Sequence, residues 1–157
     1  LKKSAKSLNL SESFFSNKFD LPMALLRCNY YHPSANLSKK EEFGIAPHTD
    51  YGCLTLLFTE NDNGLEIKNP DGQWLKIQAQ KNELIVTFGD MLEFWTNKTV
   101  KATQHRVKDS NIPRYSIPFF FNPRHDTLIG KDKKNKYIYA GDYLTYKYDT
   151  TYKHKMK

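Results

Sequence analysis

Two histidines and one aspartate have the residue types and spacing expected of a metal site. His48 and Asp50 are two residues apart, so on an extended strand both side chains would point to one face. An imidazole and a carboxylate together suit Fe(II), Mn or Zn. Taken alone, a His-x-Asp sequence is common, and a histidine in a turn beside a surface acid is its more frequent explanation.

A second histidine, His105, favours the metal site over the surface turn. It lies further along the chain, inside the apolar run 102–107. With His48 and Asp50 it completes two histidines and one carboxylate, the facial triad of non-haem Fe(II) oxygenases. Three protein ligands would leave positions on one side of the ion open for a bidentate co-substrate and for O₂.

A second pair of residues could bind an anion. Arg114 and Ser116 are two apart and precede the strongly apolar run 117–121. A guanidinium binds a carboxylate as a fork, and a hydroxyl adds one more donor. The pair is therefore predicted to anchor the far carboxylate of a dicarboxylic co-substrate. The alternative, a surface arginine on an edge strand, is disfavoured by the apolar neighbours.

Asn29 and Tyr31 form a third candidate group, because they share one face of an apolar strand. Tyr31 could donate a hydrogen bond to the same anion as Arg114, and Asn29 could lie nearer the metal. An ordinary core tyrosine with a satisfied hydroxyl explains Tyr31 equally well.

The surrounding elements are predicted to be mainly strands. A helix is expected over 9–19, with Ser11 as its N-cap, and Pro22 follows it. Residues 34–42 are predicted to be a loop, 91–95 a strand or turn, 126–136 irregular, and 142–152 a final helix or docked tail. Strands are predicted at 23–31, 45–50, 53–59, 64–68, 73–77, 83–88, 99–107 and 115–121. This rhythm favours a β-sandwich or barrel, with a jelly roll among the options.

The composition and charge of the chain further limit the class of protein. The 157 residues predict one domain, and no apolar stretch is long enough to predict a membrane-spanning helix. The net charge of +7 is concentrated at the two ends and comes mostly from lysine. This favours a solvated surface over specific nucleic-acid binding, which relies on arginine. Cys28 and Cys53 are predicted to be buried reduced thiols, which suits the cytoplasm.

The motifs NYYHP, PHTDYGCLTLLF, QHRV and RYSIPFFFNP occur in an order that resembles the isopenicillin N synthase-like branch of Fe(II)/2-oxoglutarate-dependent dioxygenases. The resemblance runs from about Leu8 to Tyr152. It implies a double-stranded β-helix, the jelly-roll barrel, with one or more flanking α-helices. It also implies roles for the candidate residues. The implied iron ligands are His48, Asp50 and His105; the implied 2-oxoglutarate contacts are Arg114 and Ser116, with Tyr31 joining them and Asn29 close by.

The implied reaction couples reduction of O₂ to decarboxylation of 2-oxoglutarate, giving succinate and CO₂. A small-molecule substrate would be hydroxylated or otherwise oxidised, and ascorbate is a candidate reductant. Tyr51 and Phe120 are candidate walls of the substrate pocket, with plain core packing as the alternative. Oligomeric state is left open by the sequence.

Three other functions compete with this one. A 2-oxoglutarate-independent Fe(II) oxidase, similar to isopenicillin N synthase or ACC oxidase, would keep the same triad. A nucleic-acid demethylase of the AlkB type would carry a second arginine where Phe120 stands. A non-catalytic jelly-roll binding domain is disfavoured by the intact triad.

Residues 1–157 are thus expected to be a single dioxygenase domain, and an additional N-terminal region, usual in that family, is expected to be missing. Its predicted parts are an N-terminal helix (1–21), a jelly-roll core (22–125) and a basic C-terminal segment (126–157).

Overall fold

The computed structural model describes residues 1–33, 43–59 and 64–152. The helices in these ranges are α1 (Lys2–Ser7), α2 (Asp90–Trp95) and α3 (Ala140–Tyr152), with one 3-10 turn at Ser16–Lys18. The strands are β1 (Met23–Leu26), β2 (Asn29–Tyr31), β3 (Phe43–His48), β4 (Leu54–Thr59), β5 (Leu65–Lys68), β6 (Trp74–Lys76), β7 (Ile85–Phe88), β8 (His105–Lys108), β9 (Arg114–Asn122), β10 (Leu128–Lys131) and β11 (Tyr137–Tyr139).

Two antiparallel sheets enclose the central cavity. One sheet has the order β1-β9-β4-β7, with β2 also paired to β9, and the other has the order β3-β8-β5-β6. Both sheets contribute side chains to the cavity wall, for example Thr55 and Ser116 from the first and His105 and Val107 from the second. The prediction of a mainly β jelly roll with flanking helices is confirmed.

Strand β9 carries several of the candidate site residues. At nine residues it is the longest described strand, and it pairs with β2 at its start, with β1 at its end and with β4 along one side. Its side chains alternate, so Arg114, Ser116 and Pro118 are buried while Tyr115 between them is exposed. One strand therefore carries the candidate anion-binding pair and, further along, Phe120.

The main apolar cluster is centred on the helices, and one of its members, Leu144, also lines the cavity. It forms where α2, α3 and the β10–β11 hairpin meet, and its buried members are Cys53, Met91, Leu92, Ile129, Ala140 and Leu144. Removing the apolar surface of these side chains from water stabilises the fold. Helix α3 of the C-terminal segment packs in this cluster, and a cavity remains between the two sheets.

The helix predicted over 9–19 is wrong. The helix is α1, which ends earlier, and Asn9 has a positive φ of 56° that interrupts helical geometry. Phe14 and Phe15 instead pack against Trp95, with ring centroids 6.0 and 5.3 Å from it. Packing against Trp95, which is distant in the sequence, thus provides apolar contacts for these two rings without a continuous helix.

Five other local predictions differ from the structure. Residues 91–95 belong to helix α2, because the N–H groups at its start bond the loop after β3. The segment 126–136 contains strand β10, and 23–31 forms two strands instead of one. Residues 99–104 are not in a strand, and the predicted strand 45–50 ends at His48.

The two cysteines differ in environment. Cys28 is exposed, contrary to the prediction, because it lies in the bend between β1 and β2, whereas Cys53 is buried. Burial raises the pKa of the Cys53 thiol to about 12, so it remains protonated.

The final helix is confirmed as α3, beginning two residues earlier than expected. The predicted loop at 34–42 lies outside the described residues. Among the helices in the described ranges, none has the length and apolarity required to cross a membrane.

Candidate metal and co-substrate site

The two histidines are brought together by strand pairing. His48 is the last residue of β3 and His105 the first of β8, and the two face each other in the antiparallel register. Asp50 lies two residues beyond the end of β3, in a loop instead of on the strand as predicted. The ligand atoms of all three residues lie within 4.8 Å of one another. This spacing suits ligands that share one ion.

Each imidazole is oriented by a hydrogen bond to the backbone. Nδ1 of His48 lies 2.8 Å from the carbonyl oxygen of Ala46, and Nδ1 of His105 lies 2.8 Å from that of Thr103. The ring nitrogen that donates to a carbonyl carries the proton, so the lone pair is on Nε2. Both Nε2 atoms are 3.9 Å from Oδ1 of Asp50. The three candidate donor atoms therefore face one point.

The Asp50 carboxylate is oriented by two threonines. Thr55 donates a hydrogen bond of 2.6 Å to Oδ2, and Thr87 donates a longer one of 3.4 Å to the same atom. These bonds direct Oδ1 toward the histidines. A donor set of two imidazole nitrogens and one carboxylate oxygen, all on one side, fits Fe(II) with further coordination positions open.

The loop that carries Asp50 is held by the start of α2. The backbone N–H of Asp90 donates to the Asp50 carbonyl at 2.8 Å, and that of Met91 donates to Gly52 at 3.0 Å. A side chain at Gly89 would collide with the carbonyl oxygens of Asp50 and Gly52. The glycine that follows β7 is therefore required for this close approach.

The pKa of His48 is lowered, chiefly by burial and next by the neighbouring His105. The lowered pKa favours the neutral imidazole, which is the form that binds a metal ion.

Replacing Thr55 by valine is expected to weaken Fe(II) binding by about tenfold, because the carboxylate loses its shorter orienting bond. Thr87→Val should have a smaller effect, since its bond is longer. Anaerobic titration with Fe(II) measures both. Exposed Thr99→Val is the matched control, and equal affinities in Thr55→Val and this control would contradict the assigned role of Thr55.

The structure also brings together the predicted anion-binding residues. In the register of β2 and β9, Tyr31 pairs with Arg114 and Asn29 with Ser116. The guanidinium of Arg114 lies 4.1 Å from the centre of the Tyr31 ring, and the Arg114 side chain is almost completely buried. The Tyr31 hydroxyl is hydrogen-bonded to Ser116. Burial raises the pKa of Tyr31 although Arg114 opposes it, so the phenol remains a neutral donor.

One cavity joins the two groups. Its volume is about 280 Å³, and His48, Asp50 and His105 line it together with Ser116, Tyr31 and Asn29. Gly44 on β3 lies close to Tyr31 and Arg114, where a side chain would be in tight contact with both. The triad thus shares one cavity with Ser116, Tyr31 and Asn29, whereas Arg114, packed against the Tyr31 ring, is not among the lining residues.

Tyr51 and Phe120, the predicted pocket walls, line the same cavity. The wall also contains residues that the sequence does not single out, among them Arg27, and Tyr148 and Tyr152 of α3. No local pattern identifies them. Arg27 lies within an apolar run, and α3 can be positioned only by tertiary packing.

Helix α3 is fixed beside the triad loop by specific contacts. The Tyr51 hydroxyl lies 2.6 Å from Oγ1 of Thr151, and Lys147 forms an ion pair of 2.6 Å with Asp90. The ring of Tyr148 meets that of Tyr51 edge to face at 5.7 Å. These contacts place the helix as one wall of the cavity.

The family model of the 2OG-Fe(II) oxygenase superfamily matches residues 22–123, which is more than half of the chain. The chain therefore belongs to the 2OG-Fe(II) oxygenase superfamily.

Individual relatives agree with this assignment. Gibberellin 2-beta-dioxygenase 7 of Arabidopsis thaliana is 41% identical over 125 residues, covering 79% of this chain and 36% of that protein. The 2-oxoglutarate-Fe(II) type oxidoreductase hxnY of Emericella nidulans is 39% identical over 127 residues, covering 77% and 36%. A full-length Neurospora crassa protein, solved in complex with alpha-KG and thymine, superposes with a TM-score of 0.86 at 30% identity, covering 96% of this chain and 51% of the Neurospora chain. The chain thus spans about half or less of the length of these relatives.

Proposed function

We propose that the protein is an Fe(II)- and 2-oxoglutarate-dependent oxygenase that oxidises a small molecule. The observation that carries this proposal is the convergence of three ligand atoms from His48, Asp50 and His105 within 4.8 Å, on the wall of a cavity shared with Ser116 and Tyr31. Family membership and relatives named as 2-oxoglutarate-Fe(II) oxidoreductases support it.

Each group of residues has a distinct role in this function. His48, Asp50 and His105 would hold Fe(II), which supplies activation of O₂ for oxidation of an unactivated bond. Arg114 and Ser116 would bind the C5 carboxylate of 2-oxoglutarate, with the Tyr31 hydroxyl as a further donor. Asn29 pairs with Ser116 in the strand register, so its side chain is on the same face and would contact the co-substrate beside Ser116. The role of this chain is therefore mainly to orient the reactants and exclude water.

Tyr51 and Phe120 would form part of the surface against which the substrate packs. A small-molecule substrate is supported by the cavity volume and by the solved complexes of the Neurospora crassa protein with thymine and with 5-formyluracil. Ascorbate remains a candidate reductant. The free cysteines Cys28 and Cys53 support a reducing, cytoplasmic location, which cell fractionation would test.

The proposed function predicts that the native protein converts 2-oxoglutarate to succinate when Fe(II), O₂ and an oxidisable substrate or ascorbate are all present. Succinate can be measured directly in reactions with and without each component. Oxidation of a substrate without any use of 2-oxoglutarate would favour the Fe(II) oxidase alternative, and protein that binds no Fe(II) would favour a non-catalytic binding domain. Omission of Fe(II) is the matched control.

A further inference from the structure

Arg27 places a positive charge in the cavity that the proposed reaction does not use. It lies in the bend between β1 and β2, where its backbone N–H donates to the carbonyl of Pro118 at 3.0 Å. Its guanidinium carbon lies 5.6 Å from the centre of the Phe120 ring, and its side chain lines the cavity. The cationic end is thus held against an aromatic wall residue.

This arginine differs from two others in the chain. Arg106 is paired with Glu66 at 2.6 Å, and Arg124 is paired with Asp20 and Asp126 on the surface. Within the part of the chain that the structure describes, Arg27 forms no ion pair with a carboxylate. It is also the only Lys or Arg among the described residues that line the cavity. A guanidinium that faces a pocket is a ready partner for a ligand anion.

The backbone of Arg27 is anchored further along β9 than Arg114, although its charge still acts on the Tyr31 hydroxyl. It is anchored at Pro118, four residues beyond Arg114 on β9, and four strand residues span roughly 13 Å. The Phe120 ring beside it is on the part of β9 that pairs with Thr55, the threonine that holds Asp50. An anion held by Arg27 against the Phe120 ring would therefore be a different group from the carboxylate held by Arg114.

Apolar and aromatic side chains form one part of the wall near the triad loop, beside the polar side chains of Thr55, Thr87 and Asn122. The apolar part includes Phe120, Leu144 of α3, and the rings of Tyr148 and Tyr152. A single cation beside such a surface suits a singly charged ligand with an apolar body, since a doubly charged phosphate would need more donors.

We propose that Arg27 binds the carboxylate of the substrate, and that the substrate is an organic acid whose apolar body packs against Phe120, Tyr148 and Tyr152. This assignment rests on the proposed oxygenase function and deepens it by naming the substrate class. The carboxylate fixes the orientation of the molecule at Arg27, so that its apolar part lies toward Asp50 and the histidines.

Binding without turnover tests the assignment. The native full-length protein is loaded with Mn(II) and N-oxalylglycine in place of Fe(II) and 2-oxoglutarate. Phenylacetate, cinnamate and octanoate are then compared with their neutral amides by calorimetric titration. At least one acid is expected to bind about tenfold more tightly than its amide. Arg27→Gln should remove that preference, and Arg27→Lys should retain part of it.

Arg124→Gln is the matched control, because it removes an arginine outside the cavity and should leave the preference unchanged. If no acid binds more tightly than its amide, or if the preference survives in Arg27→Gln, the assignment is wrong. Retained N-oxalylglycine binding in Arg27→Gln confirms that this variant is folded. Because no turnover is involved, failure here is distinct from failure to form succinate.

Discussion

Replacing Asp50 or His105 by alanine is expected to lower the rate of succinate formation by on the order of 100-fold or more, because each side chain is one of the three proposed protein ligands. The two Nε2 atoms and Oδ1 of Asp50 face one point, and backbone carbonyls and threonines fix their directions. No other described group of three His, Cys, Asp or Glu side chains is placed to hold the ion instead.

Asp50→Asn provides a variant that is less prone to unfold, since the amide oxygen can still accept the bond from Thr55. It should lose most of the activity because its uncharged amide is a poor ligand. His32→Ala, in which an exposed histidine outside the triad is removed, is the matched control and should keep the native rate. A rate within threefold of native in either Asp50 variant or in His105→Ala would contradict the assignment of the triad.

Replacing Arg114 by glutamine is expected to raise the concentration of 2-oxoglutarate needed for half-maximal activity by about 100-fold. The change removes a buried charge that would bind a carboxylate through two hydrogen bonds, each worth about 1.5–3 kcal/mol. A loss of about 2.7 kcal/mol corresponds to a 100-fold weaker affinity. Initial rates of succinate formation over a range of 2-oxoglutarate concentrations measure the effect.

Fe(II) affinity in the absence of 2-oxoglutarate should be unchanged in Arg114→Gln, which separates loss of the anion site from loss of folding. Arg114→Lys should recover part of the affinity, because an ammonium keeps the charge but not the fork. Arg124→Gln is again the matched control. If the half-maximal concentration rises by less than threefold in Arg114→Gln, the carboxylate is bound elsewhere.

The spacing of the candidate residues is predictable from sequence because strand alternation and pairing control it. Arg114 and Ser116 share a face of β9, and β2 places Tyr31 beside them, as expected from alternation. The position of Asp50 is less predictable. It lies in a loop, and hydrogen bonds from the start of α2 hold that loop in place, although sequence inspection assigned no helix there.

The remaining differences come from tertiary contacts that local patterns do not contain. Packing of Phe15 against Trp95 outweighs the helical spacing of the N-terminal aromatic residues. Arg27 was not identified because its importance depends on the cavity it faces, which is formed by both sheets and α3. Propensity and periodicity predict elements, whereas the cavity wall depends on how distant elements pack.

The most direct test of the central claim is anaerobic equilibrium binding of Fe(II) and 2-oxoglutarate to the native protein. The geometry predicts one Fe(II) per chain, with 2-oxoglutarate retained more tightly when the ion is present because it binds both the ion and Arg114. In His105→Ala both bound Fe(II) and the dependence of 2-oxoglutarate binding on it should be lost. Native protein that binds no Fe(II), or His105→Ala that binds it as tightly, would contradict the account.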